Sequence, residues 1–167
     1  MRIFHLRSLA IAISLLSLPI IPALAQNAAK VVLNPPGLPD TTQPGYSQIA
    51  MVSKDARTIY VSGQVGYATD GPNDFESQVD RAFANLTTAL AAVGATPADV
   101  VKITLLIKDH DPARLAYIGK KRREVFGQSP PASTLIPVSL LYTDGVSFEI
   151  DAIAVSPDPM PLVSRKR

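Results

Sequence analysis

Apolar and polar positions along the chain fall into short runs of period two, interrupted by two longer runs of helical period. Ile49-Ala50-Met51-Val52 reads as a short strand and Lys54 to Arg57 as the turn after it. Thr58 to Val65 is a second strand, with Ile59, Val61 and Val65 on one face and Tyr60, Ser62 and Gln64 on the other. Gly63 inside this strand marks a bulge or the close approach of another group. Phe75, Val79, Ala82, Phe83, Leu86, Leu90 and Val93 recur at helical spacing over about five turns. Asn73 reads as the cap of that helix, with Glu76 completing a capping box, and Gly94 as its stop. Asn85, beside the stripe, reads as a boundary polar residue rather than a ligand contact.

Thr96 to Asp99 looks like one capped turn, and Val100 to Ile107 a third strand. Val101, Ile103, Leu105 and Ile107 would form its apolar face, and Val100, Lys102, Thr104 and Leu106 a mixed one. Asp111-Pro112 opens a second helix, cap and first residue. Its buried side would hold Leu115, Ile118, the aliphatic stem of Arg122, and Val125 or Phe126, with Gly127 at the end. Pro130 to Val155 then reads as two strands joined by a turn at Thr143-Asp144-Gly145. Ser133, Leu135 and Pro137 lie on the first. On the second, Val146, Phe148, Ile150, Ala152 and Ala154 share one face, and Ser147, Glu149, Asp151 and Ile153 the other.

The order β-β-α-β-α-β-β predicts a single α+β domain over residues 46–156, with two helices on one face of a mixed sheet. The uncovered face would carry Tyr60, Ser62, Lys102, Thr104, Glu149 and Asp151, but also Val100, Leu106 and Ile153. That is too apolar for water and too polar for an interior, which predicts a subunit interface with polar pockets.

The flanks read differently. Residues 1–25 have the basic start, apolar run of about 14 residues and Ala23-Leu24-Ala25 tripeptide of a secretory signal peptide cleaved before Gln26. That run is shorter than the ~20 residues a membrane span needs. The expected mature protein is exported, periplasmic or secreted, and free of the membrane after cleavage. Residues 26–45, with Pro35, Pro36, Pro39 and Pro44, read as an extended arm rather than helix or sheet core. Residues 157–167, with three prolines and Arg165-Lys166-Arg167, read as a loose basic tail.

Composition narrows the chemistry. The leader takes Arg2 and Arg7 with it, leaving 14 basic residues against 14 acidic ones. A neutral chain with no basic-aromatic groove offers no electrostatic argument for nucleic acid or for nuclease activity. With no cysteine, disulfides, thiol chemistry and thiolate metal sites are excluded. His5 lies in the leader, and His110 alone is a poor basis for a metal site or a Ser-His-Asp arrangement.

Tyr46-Ser47-Gln48, Val61-Ser62-Gly63-Gln64, Val101-Lys102-Ile103-Thr104, Lys108-Asp109, Pro131-Ala132 and Phe148-Glu149-Ile150-Asp151-Ala152-Ile153-Ala154 occur in one order and spacing. From about Gln43 to Val155 this resembles the Rid family (YjgF type), the reactive-intermediate deaminases. The resemblance implies a chorismate-mutase-like subunit, a homotrimer, and clefts between neighbouring subunits. In deaminating members those clefts hydrolyse enamines or imines of 2-amino acids to 2-keto acids and ammonia, without a cofactor. It implies that Tyr46 borders the cleft, that Ser62 is the serine of the SGQ segment, and that Glu149 positions the attacking water.

One position departs from that pattern. Deaminating relatives carry an arginine directly after Pro-Ala, where it grips the substrate carboxylate; here that residue is Ser133. The asparagine often found early in the second helix aligns near Gly119, and the cleft cysteine with Leu135. Losing one partner of a desolvated two-pronged ion pair costs about 2–5 kcal/mol. A serine hydrogen bond returns about 1 kcal/mol. The remainder is about a 5- to 1000-fold loss in binding or turnover. Arg114, Arg122 or Arg123 of a neighbouring subunit could supply a cation to the cleft, but each reads as a surface residue. The expectation is a small-molecule-binding homotrimer with weak or absent 2-imino acid deaminase activity, in contact with its ligand through Tyr46, Ser62, Ser133 and Glu149. An active enamine or imine deaminase is the alternative, and a protein-interaction module using the arm and tail a second one.

Overall fold

The computed structural model describes residues 29–156; the expected leader and basic tail lie outside them. Six strands and two helices follow in order: β1 (Lys30–Leu33), β2 (Ile49–Val52), β3 (Arg57–Val65), α1 (Phe75–Ala91), β4 (Val100–Lys108), α2 (Pro112–Phe126), β5 (Ala132–Val138) and β6 (Phe148–Ser156). A 3-10 turn at Pro97–Asp99 precedes β4. Strands β3-β6-β4-β5 form one mixed sheet, with β4 and β5 parallel and the other pairs antiparallel. The α+β class and the pair of helices on one sheet face therefore stand.

The parallel β4–β5 pair follows from α2, because parallel neighbours need a crossover of a dozen or more residues. The last two strands, expected to be joined by a turn, are not partners. Strand β6 inserts between β3 and β4, so β4 separates it from β5. The apolar face of α1 meets Ile103, Leu105, Ile107, Phe148, Ile150, Ala152 and Ala154 of the sheet, together with Ile118 and Phe126 of α2. Phe148 lies near the middle of this core, stacked on Phe83 at 6.0 Å and edge-on to Phe75 at 6.1 Å.

Five local readings are corrected. The arm is not merely extended, since Lys30–Leu33 pairs antiparallel with Ile49–Val52 as a separate two-stranded sheet. This strand precedes the first proline, so its donors remain available. The cap of α1 is Asp74, whose Oδ1 accepts from Ser77 N at 2.9 Å. Asn73 instead accepts from Ala68 N and from Arg81 Nη2, both at 3.0 Å. A register shift between Val61 and Gln64 puts Gln64 opposite Ile150 and Val65 opposite Glu149, reversing the faces expected for those two. A second shift between Val100 and Lys102 puts Val100 in the main core, while Val101 joins Ala29 and Val155 in a smaller cluster. Leu115, expected to be buried, is 41% exposed in the single chain.

Candidate functional site

Glu149 lies on β6 between Phe148 and Ile150, both buried against the helices, so its side chain takes the open face of the sheet. The bulge in β3 decides what it meets. A Cβ built on Gly63 would stand 1.8 Å from Glu149 Oε1, so the carboxyl lies in space that only glycine leaves free. Ser62, exposed, is the neighbouring residue of that bulge, and its carbonyl accepts from Gln64 Nε2 at 3.0 Å. Ser62 thus stands next to the glycine against which Glu149 lies, on the paired strands β3 and β6. The other open-face carboxylate, Asp151, is engaged by Thr104 N at 3.0 Å.

Ser133 lies elsewhere. It pairs with the fully buried Ile103, so it faces the helices from the outer strand β5. There its Oγ accepts from Arg122 Nη1 at 3.0 Å. The Arg122 guanidinium lies 5.4 Å from the centre of the Tyr46 ring. Tyr46 is carried there by the arm. Ser47 N donates to Pro131 O at 2.9 Å, its hydroxyl donates to Pro130 O at 2.7 Å, and it bridges to Ala132 at the free edge of β5. The arm crosses α2 at Gly119, where an added Cβ would lie 3.3 Å from Gln43 O. A cavity of about 220 Å³ opens beside Tyr46, lined also by Asn34, Thr41, Thr42 and Arg123.

The four expected site residues therefore form two groups. Tyr46 and Ser133 lie with Arg122 at the β5 edge on the helix side, whereas Ser62 lies in the bulge of β3 and Glu149 on the neighbouring β6, on the open sheet face. One chain does not bring them into a single pocket.

The three arginines have different roles. Arg114 packs over the Phe75 ring at 4.7 Å and donates to Lys108 O. Arg123 is exposed and donates to Gln43 O. Arg122 overturns its surface reading: it is 2% exposed, and its Nε has no hydrogen-bond partner among the described residues. Burial pushes its guanidinium down to about 10, which still leaves it charged at neutral pH. The available signal was its place four residues after Ile118 and four before Phe126, on the buried side of α2. Pattern alone suggests that a long stem is buried there and its charged head escapes to water. Also unforeseen is Gln78, buried in α1, whose amide donates to Asn73 O and Gly145 O and accepts from Ser147 N, each at 2.9 Å. Among the described residues no His, Cys, Asp and Glu cluster could hold a metal ion.

Known proteins share both the sequence pattern and this fold. The family model described as Endoribonuclease L-PSP matches residues 39–156. The RutC family protein YjgH of Escherichia coli is 36% identical over 102 residues, covering 60% of this chain and 76% of the relative. A 2-iminobutanoate/2-iminopropanoate deaminase of Rattus norvegicus is 33% identical over 114 residues, 66% of this chain and 79% of the relative. A crystal structure of YyfB from Yersinia pestis, a protein of unknown function in the Rid family, superposes with a TM-score of 0.71 at 31% identity. It covers 75% of this chain and 98% of that one. With more than half its length matched by the family model and its fold shared with a Rid-family structure, this chain belongs to the Endoribonuclease L-PSP family, which includes the Rid and YjgF-type proteins.

Proposed function

We propose that this protein works as an exported Rid-family homotrimer whose inter-subunit clefts bind a small molecule, with weak or absent 2-imino acid deaminase activity. The observation that carries the reading is the split of the site. Glu149, on β6 beside the β3 bulge that holds Ser62, faces the open side of the sheet, whereas Ser133, with Tyr46 nearby, faces the helices from the far edge strand β5. A neighbouring copy apposing its β5 edge to the β3 edge of the first would complete a cleft from both groups. The open face gives such a contact apolar area, since Tyr60 is 79% exposed and Ile136 42%.

In that cleft Glu149 is the group that can take a proton from water. Water attacks the imine carbon, a C–O bond forms, and the nitrogen leaves as ammonia to give a 2-keto acid. The named substrates of the rat relative have this chemistry. Ser133 presents a hydroxyl where a guanidinium would grip the carboxylate in two places, so turnover is expected to be slow. A second reading, a fully competent deaminase, is favoured by one fact: a positive charge stands directly behind that hydroxyl, on Arg122.

Light scattering on the chain at micromolar concentration should give three times the subunit mass, and a stable monomer would overturn the trimer. Imine loss is then followed with 2-iminopropanoate generated by an amino-acid oxidase. The weak-activity reading expects slow acceleration that Ser133→Arg increases and Glu149→Ala abolishes. Rapid wild-type turnover lost in Glu149→Ala would replace it with the second reading.

A further inference from the structure

Within its own chain Arg122 is a buried cation with no carboxylate partner among the described residues. From the arm it meets Gly45 and the Tyr46 ring, from β5 the Ser133 hydroxyl, and from its own helix the like-charged Arg123. It takes part in no salt bridge among the described residues, and its Nε is buried without a hydrogen-bond partner. Buried charges are ordinarily paired. Among the described residues its one side-chain acceptor is a neutral hydroxyl at 3.0 Å.

That geometry fixes what Ser133 can do. A hydroxyl has one proton and two lone pairs. Arg122 Nη1 donates into the oxygen, so the hydroxyl proton cannot point back along that bond and is left for another acceptor. We propose that Arg122 is a positioning residue that makes Ser133 a charge-backed donor for a carboxylate oxygen of a small ligand. This chain then recognises a small carboxylate through a hydroxyl relay, with the guanidinium one hydrogen bond removed from the ligand. The inference rests on the proposed small-molecule cleft and adds the residue that selects the ligand's charge there. A carboxylate bonded to Ser133 would lie roughly 6 Å from the cation, close enough for a charge effect of about 10- to 100-fold at the effective dielectric of a protein surface.

The probes are pyruvate and its uncharged counterpart pyruvamide, titrated calorimetrically into the full chain. Wild type should prefer pyruvate by about 10-fold or more. Arg122→Gln should lower pyruvate affinity about 10- to 100-fold while changing pyruvamide affinity less than about threefold. Arg122→Lys should restore part of the preference and Ser133→Thr should keep it, whereas Ser133→Ala should lose it. A merely structural arginine would weaken both probes together. Equal wild-type affinities, an unchanged preference in Arg122→Gln, or full preference in Ser133→Ala would overturn the relay. Should Arg122→Gln fail to fold, the two serine variants decide the matter by the same criterion. A monomeric mass with the preference intact would defeat the trimer and spare the relay; a trimer without the preference would do the reverse.

Discussion

The carboxyl of Glu149 fills the space a side chain at position 63 would require, with Oε1 1.8 Å from where a Cβ on Gly63 would stand. The glycine of the SGQ segment is thus a seat for the glutamate. It also explains why the strand bulges at this point, since the shift between Val61 and Gln64 turns the backbone so that the carboxyl can lie against it.

Gly63→Ala should separate catalysis from stability. The atom it meets is the end of a flexible side chain, which can rotate away, so unfolding free energy should fall by only about 1 kcal/mol. The displaced carboxyl should lower imine turnover about 100-fold. Denaturant unfolding and the oxidase-coupled assay on the same sample check both. Turnover equal to wild type would show that the seat does not position Glu149.

Gly66→Ala, three residues on, should behave in the opposite way. Its Cβ would stand 1.9 Å from the Gln78 carbonyl oxygen and 2.7 Å from the carbonyl carbon. Helix backbone cannot rotate aside, so α1 must move off the end of β3. A loss of about 3 kcal/mol or more is expected in urea unfolding. A variant within about 0.5 kcal/mol of wild type would contradict this packing.

Gln78→Leu should be nearly as damaging despite its similar size. The amide joins Asn73 O, Gly145 O and Ser147 N, so the turn before β6 is tied to α1 through one side chain. Leucine leaves two carbonyls and an amide without that partner, at about 1–3 kcal/mol for a buried group left unsatisfied. The expected loss is about 2–4 kcal/mol, read from the midpoint of denaturant unfolding.

Lys30 gives the chain a pH dependence in the alkaline range. Its ammonium donates to Ser129 O at 2.8 Å and Ala98 O at 3.3 Å, and burial pushes it down to about 8 from the ordinary 10.5. Between about pH 8 and 10.5 the unfolded chain still holds the proton that the folded chain has lost. Stability relative to a variant without this group should therefore rise with pH across that window. Water screens part of the effect, so a gain of about 1–2 kcal/mol is expected. Lys30→Met keeps the methylenes and should remove it. The difference between the two unfolding curves from pH 7 to 10.5 is the measurement, and a flat difference would refute the assignment.

Periodicity carried the elements a long way. The stripe from Phe75 to Leu90 and the alternation from Val146 to Ala154 can each be satisfied by one local conformation and one buried face, so they located α1 and β6. Proline density hid β1, because the prolines that follow it drew Lys30 to Leu33 into a segment read as uniformly extended. The bulges at Ser62-Gly63 and at Val101 were legible only as a glycine or not at all. A register shift is a relation between two strands, and neither strand carries it alone.

The candidate site shows the same division. The family resemblance picked out Tyr46, Ser62, Ser133 and Glu149, and with it the charge that Ser133 lacks. Which groups lie together depended on β6 inserting between β3 and β4, a pairing of segments about ninety residues apart in the chain. The charge behind Ser133 came from α2, eleven residues upstream, at a position that helical period assigns to the core. Hydrophobic pattern reports which side of an element is buried, because burial repeats with the backbone period. It does not report which long side chain reaches which neighbour, since that depends on how separate elements pack and on how the arm folds over them.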